Sequence, residues 1–268
     1  MPMEERTRLL LGDEGIARLQ RAHVLLFGLG GVGSYTAEAL ARAGVGALTL
    51  VDDDLVSESN LNRQLIALHS TVGRPKAEVA AARIADINPG CRVTPVRLFY
   101  TPDTAVRLPF AGPQGPLYNY IVDAVDTVSA KLEILQRAAG AGIPAISCMG
   151  TGNKLHPELL RLATLEKTEG CPLARVMRRE CRRRGLKDVR VVYSAEPRRP
   201  GRGGAGLPTD TVGIGQARRD GPPCSAADAG PAERPGLPKK AVPGSVSFVP
   251  GAAGLMLAGE VVRVLAGL

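Results

Sequence analysis

Apolar and polar positions along the chain follow two periods, and the changes between them mark out its elements. The lead-in, residues 6–21, repeats at helical spacing, with Leu9, Leu10, Ile16 and Leu19 on roughly one face. A short continuous apolar run follows at 24–27, then a helix of small residues at 34–43, then a second run at 47–51. Val79, Ala80, Ile84 and Ile87 recur at helical spacing over 76–87, and Asn88-Pro89-Gly90 stops that helix. Residues 92–98 predict the next strand, 120–125 another, 128–141 a helix and 143–147 a strand. Short buried runs alternating with helices predict an α/β fold with a doubly wound, mainly parallel sheet.

The pattern loosens after residue 150. Residues 159–165 and 189–193 read as strands around a helix at 172–184, and a helix of small and aliphatic residues covers 254–265. Between them, 196–240 is rich in Gly, Pro and Arg with few large apolar groups. Such a stretch cannot bury enough surface to offset its ordering entropy, and it is expected to be a mobile loop. The expected organisation is a nucleotide-binding unit at 1–150, with 151–195 and 241–268 as an irregular C-terminal extension packed on the same domain.

The nucleotide assignment rests on the first strand–helix–strand unit. Gly28-x-Gly30-Gly31-x-Gly33 lies between a strand and a helix, where the backbone must turn tightly and approach a phosphate at a helix N-terminus. Asp52 closes the second strand, placed to accept hydrogen bonds from ribose hydroxyls, with Asp53 and Asp54 behind it. The alternative is a purely structural turn.

Composition adds a few bounds. The chain has 268 residues, no Trp and 3% aromatic residues, so its core is aliphatic. A formal net charge of +8 suits a polyanionic partner, or equally reflects Arg-rich usage in a GC-rich genome. The five cysteines, Cys91, Cys148, Cys171, Cys181 and Cys224, form no Cys-x-x-Cys pair, which argues against a structural zinc site and a disulfide framework. The charged start has no signal-peptide core, and no uninterrupted apolar run is expected to span a bilayer, so a cytoplasmic protein is expected.

Two chemistries use such a unit. A dehydrogenase holds NAD there and needs no cations beyond the second strand. An adenylating enzyme must neutralise a triphosphate and a leaving pyrophosphate. Arg63, Lys76 and Asp126 follow at or near predicted strand ends and suit the second. Taken singly, each has a plainer reading: a solvated loop charge, a helix-start cation and a helix N-cap.

As a set, Gly28-x-Gly30-Gly31-Val32-Gly33-Ser34, Asp52-x-Asp54, Ser59-Asn60-x-x-Arg63-Gln64, Val72-Gly73-x-Pro75-Lys76 and Asp123-Ala124-x-Asp126 resemble the adenylation domain of ubiquitin-activating-like enzymes. The resemblance implies a Rossmann-like adenylation domain that uses ATP and Mg²⁺. Gly28, Gly30, Gly31, Gly33, Asp52 and Asp54 would hold the nucleotide. Asn60, Arg63, Gln64 and Lys76 would contact the phosphates, and Asp126 would be the magnesium-linked aspartate. It further implies a homodimer in which Arg6, or alternatively Arg8, reaches the ATP of the neighbouring protomer.

Asn88-Pro89-Gly90-Cys91-Arg92-Val93, Met149-Gly150-x-Gly152-Asn153-Lys154, Cys171-Pro172-Leu173-Ala174-Arg175-Val176-Met177-Arg178 and Gly244-Ser245-Val246-Ser247-Phe248-Val249-Pro250 resemble, more narrowly, the tRNA threonylcarbamoyladenosine dehydratases. That family implies ATP-dependent closure of the threonylcarbamoyl side chain of tRNA through an acyl-adenylate. Arg63, Lys76 and Asp126 would be its catalytic groups, with a sulfur-transfer protein as a further partner. A basic helix running from Arg175 to Arg190, with Arg175, Arg178, Arg179 and Arg182 expected on one face, fits an RNA backbone, or else is a solvated face. Two other readings stay open: activation of the C-terminus of a small sulfur-carrier protein, and an NAD-dependent oxidoreductase.

Overall fold

The computed structural model describes residues 3–197 and 243–268. Its helices are α1 (Glu5–Arg21), α2 (Gly33–Arg42), α3 (Lys76–Ile87), α4 (Val128–Gly140), α5 (Pro172–Arg183) and α6 (Phe248–Ala266). Its strands are β1 (His23–Phe27), β2 (Ala47–Val51), β3 (Arg92–Val96), the short pair β4 (Ala111–Gly112) and β5 (Gly115–Pro116), β6 (Tyr120–Asp123), β7 (Ala145–Cys148), β8 (Leu160–Thr164) and β9 (Arg190–Ser194).

Seven strands form one sheet in the order β3-β2-β1-β6-β7-β9-β8. Every pairing is parallel except that of β8 with β9. Central β1 shows why its sequence is an unbroken apolar run: Val24 and Leu26 face the core under α2, α3 and α6, while Leu25 and Phe27 face the core under α4. β3 lies at the sheet edge, mostly exposed, where Pro95 is tolerated. A third core joins α4 to α5 through Leu132, Leu135, Met177 and Cys181. The strand order reverses between β1 and β6, which opens a crevice at the carboxyl ends of both.

Two expectations are corrected. Ile16 and Leu19 of α1 are buried, but Leu9 and Leu10 are 84% and 83% exposed. Gly12, at φ 70° and ψ 173°, kinks the helix and turns its first half onto another face. The last helix starts at Phe248 rather than at residue 254; Pro250 lies in its first turn, where a missing N–H costs nothing. α6 has the length and the mean hydropathy, 1.5, of a bilayer-spanning helix, yet half of that stretch is buried within the fold. Gly251 and Gly254 let it lie against Tyr35 and the Val32 carbonyl of α2, and Thr36 Oγ1 donates to the Gly254 carbonyl at 3.0 Å. The expected loop at 196–240 and Cys224 fall, from residue 198 onward, outside the described residues.

Candidate active site

The crevice is a cleft of about 610 Å³. Its floor is the glycine turn, and steric contacts explain two of the glycines. Gly28 has φ +85°, and a Cβ there would stand 2.7 Å from the Ala124 carbonyl oxygen; a Cβ on Gly33 would stand 1.8 Å from that of Gly28. Gly30 differs, because a Cβ would meet only Gln64 Nε2, at 3.9 Å. Nothing in the protein requires that glycine, so what it leaves room for is the cleft itself. The amides of Gly30, Gly31 and Val32 have no acceptor among the described residues and lie at the start of α2, an arrangement suited to an anion.

At the end of β2, Asp52 Oδ2 accepts from the Leu29 amide at 2.6 Å and Oδ1 from the Asp54 amide at 2.9 Å. Burial pushes its carboxyl above the usual range, against the opposing pull of Lys76 and these two amides. Lys76 is buried at the start of α3, its ammonium 2.6 Å from Asp54 Oδ2. Lys76 is thus a helix-start cation, as the plainer reading has it, but one that is buried and paired at the cleft. The carboxylates of Asp52, Asp53 and Asp54 lie within 4.8 Å of one another.

The crossover loop after β2 supplies the next wall. Asn60 is buried and accepts from the Ser57 amide at 3.1 Å, which shapes the turn that presents Arg63 and Gln64. Arg63 is half-buried and donates to the Ser59 carbonyl at 2.7 Å. Gln64 is buried, and its Oε1 has no hydrogen-bond partner. Gln64 lines the cleft, and a buried amide oxygen without a partner beside it calls for one. Asp126 lines the far side, exposed. The N-cap of α4 is Thr127, and no side chain caps that helix, so the capping role considered for Asp126 is absent.

Arg6 is exposed in the first half of α1 and does not line the cleft of its own chain, and Arg8 is paired with Asp13. Leu98, Phe99 and Tyr100, which follow β3, form an apolar end of the cleft that sequence reasoning missed. A second missed feature is the segment Pro243–Ser245. The Gly244 amide donates to Asn153 Oδ1 at 2.7 Å, the Asn153 amide donates to the Gly244 carbonyl at 2.8 Å, and Asn62 Nδ2 donates to the Ser245 carbonyl at 3.1 Å. The segment thus bridges two opposite rims. Behind the floor, Lys131 and Asp123 form a fully buried ion pair at 3.0 Å. The visible signal was a lysine at a core position of α4, in register with Ile134, Leu135 and Ala138. Cys148 also lines the cleft, but burial pushes its thiol up to about 12, which leaves it without nucleophilic character at neutral pH.

Helix α5 departs from expectation at one residue. Arg175, Arg179, Arg182 and Arg183 are exposed, whereas Arg178 turns inward, donating to Thr168 Oγ1 at 2.6 Å and also to the Thr168 carbonyl. The helix buries Ala174, Met177 and Cys181, and Arg178 borders that face. Buried Glu180 gathers Arg179, Arg183 and Arg184 within 3.4 Å, and Arg190 pairs with Glu260.

The chain matches the model of the ThiF family over residues 5–268. It is 39% identical over 258 residues to the tRNA threonylcarbamoyladenosine dehydratase of Bacillus subtilis, a span of 96% of this chain and 92% of that protein. It is 42% identical over 172 residues to the Escherichia coli protein of the same name, 64% of this chain and 62% of that one. The solved E. coli enzyme in complex with ATP superposes with a TM-score of 0.75 at 31% identity, covering 98% of this chain and 93% of that chain.

Proposed function

The chain belongs to the ThiF family, and from that premise we propose that it is an ATP-dependent enzyme that cyclises the threonylcarbamoyl side chain of threonylcarbamoyladenosine in tRNA. The observation that carries this reading is the cleft itself. Open glycine amides, Arg63, buried Lys76 and exposed Asp126 surround one space whose one lining thiol among the described residues is inert. The apolar end at Leu98–Tyr100 receives the base, Asp52 the ribose, and Asn60, Arg63, Gln64 and Lys76 the phosphates.

The substrate carboxylate attacks the α-phosphate of ATP. One phosphorus–oxygen bond forms as another breaks, and pyrophosphate leaves with the electron pair. Arg63 and Lys76 neutralise the charge that builds on the departing group. The carbamoyl part of the same side chain then attacks the activated carbonyl, its proton passes to solvent, and AMP departs. The net change is loss of water. Because the second nucleophile is already tethered, no enzyme thiolate is needed. A magnesium ion fits a carboxylate exposed at the rim of the cleft, which Asp126 supplies. Held by Asp126, it would supply further charge neutralisation for the triphosphate.

The exposed face Arg175, Arg179, Arg182 and Arg183 takes the RNA backbone; a carrier-protein tail offers no reason for it. The working unit is a cytoplasmic homodimer in which Arg6, which does not line its own cleft, serves the partner's ATP. Cys91, Cys148, Cys171 and Cys181 are all buried, so a sulfur-transfer partner would meet no exposed thiol among the described residues. Incubating the protein with ATP and tRNA bearing threonylcarbamoyladenosine, followed by nucleoside mass spectrometry, tests the reading. The expected product is the nucleoside lighter by one water. Unchanged nucleoside alongside adenylation of a carrier protein would refute it.

A further inference from the structure

The Lys131–Asp123 pair lies directly behind the cleft, and the cyclisation as written gives it no part. All three ammonium protons of Lys131 are engaged: with Asp123 Oδ2 at 3.0 Å, Ser147 Oγ at 3.3 Å and the Cys148 carbonyl at 2.7 Å. Ser147 Oγ donates in turn to Asp123 Oδ2, and Asp123 Oδ1 accepts from the Val125 amide at 3.1 Å. Asp123 and Ser147 are the last residues of β6 and β7 that pair with each other. Beyond them the two chains part, one toward Val125 and Asp126, the other toward Met149–Gly152, and both lie along the cleft. One side chain from α4 therefore ties the two strand ends together at the point where the ladder between β6 and β7 stops.

Stability alone is a poor explanation for such a pair. A buried ion pair roughly breaks even with apolar residues of the same volume. What an apolar pair cannot do is fix a carboxylate, a hydroxyl and a carbonyl at once. We propose that Lys131 is a positioning residue for adenylation: it sets the Asp123–Val125 turn that aims Asp126 into the cleft and holds the facing wall at Cys148. The proposal rests on the functional reading above, and it concerns where Asp126 stands rather than which substrate is bound.

The test uses the full chain as wild type, K131M, K131R and S147A, with melting temperatures measured for each. Two quantities are read: ATP affinity with and without Mg²⁺, and single-turnover cyclisation at saturating ATP and tRNA. In K131M, metal-free ATP affinity should change by less than about threefold, because the glycine amides, Arg63 and Lys76 are untouched. The gain in affinity on adding Mg²⁺ should be lost. The rate should fall by roughly 10- to 100-fold, the range expected for a small misplacement of a reacting group. K131R should recover part of both. A folded K131M with wild-type rate and Mg²⁺ response overturns the proposal, as does an equal loss of metal-free ATP affinity. If K131M does not fold, S147A decides, since it keeps both charges and removes one strand-end contact: a several-fold slower rate with unchanged metal-free affinity supports positioning, and wild-type behaviour refutes it. If the wild type binds ATP with Mg²⁺ but leaves the tRNA unchanged, the functional reading fails, and Lys131 is still judged by the Mg²⁺ response.

Discussion

A methyl group at Gly33 would collide with the Gly28 carbonyl, whereas one at Gly30 would project into an open cleft. The two substitutions should separate folding from binding. Gly33→Ala should destabilise the protein by more than about 3 kcal/mol, since backbone must move to admit the methyl group. Gly30→Ala should melt close to wild type and lose ATP affinity at least roughly tenfold, because the methyl group occupies phosphate space. Thermal denaturation and ATP titration check both. Asp52 gives a pH signature. Its folded value is raised, chiefly by burial, so the ionised carboxyl is a cost to folding that is absent below the ordinary aspartate range, grows as pH rises through the folded value, and persists above it. The same shift means that Asp52 takes up a proton earlier on acidification than an ordinary aspartate. ATP affinity should then start to weaken at a higher pH than an ordinary aspartate would set, and Asp52→Asn should remove that step from a pH titration. At this scale the place of the glycines, Asp52 and Asp126 along the cleft was legible because each follows a predicted strand, and that of Arg63 and Lys76 because of the motif spacing after Asp52. Lys131 was not, because a lysine in a helix reads as surface until the surrounding core positions show otherwise.

Helix α5 was legible in type and extent but not in its facing. The cluster of arginines shows that the helix is basic, but the side that packs is set by Ala174, Met177 and Cys181, which are weakly apolar and easily overruled in a sequence pattern. That facing divides its arginines into two tasks. Replacing Arg175, Arg179, Arg182 and Arg183 by Glu should weaken tRNA binding and flatten its dependence on salt, with ATP affinity nearly unchanged, as read by binding isotherms at several salt concentrations. Arg178→Ala should leave that salt dependence alone and cost about 1–3 kcal/mol of stability, through the lost bonds to Thr168. Helix α1 shows the complementary failure. Its apolar residues predicted one face, but one left-handed glycine placed Leu9 and Leu10 on another, and no periodicity argument foresees a kink at a single residue.

For the whole molecule, the parallel sheet was readable from unbroken apolar runs such as that of β1, which only a strand covered on both faces can carry. The antiparallel β8 and the bridge made by Pro243–Ser245 were not, since both depend on contacts between residues far apart in the chain. The position of Arg6, outside its own cleft, leads to a prediction about assembly. Mixing an Arg6→Ala chain with an Asp126→Ala chain should restore activity in verified heterodimers, because one of the two composite sites then carries neither substitution. Heterodimers as inactive as either parent would exclude sharing between protomers. The packing of α6 on α2 also bears on the order in which the molecule is made. The glycine turn and Asp52 precede their cover by most of the chain: Pro250, whose ring rests against Gly31, and Gly251, which seats Tyr35, belong to α6. Closing so long a loop is slow, and until it happens the face of α2 lies bare. Competence to hold nucleotide therefore waits for α6 to dock, and a nascent chain that has not yet made this contact carries a bare apolar face of the kind chaperones bind.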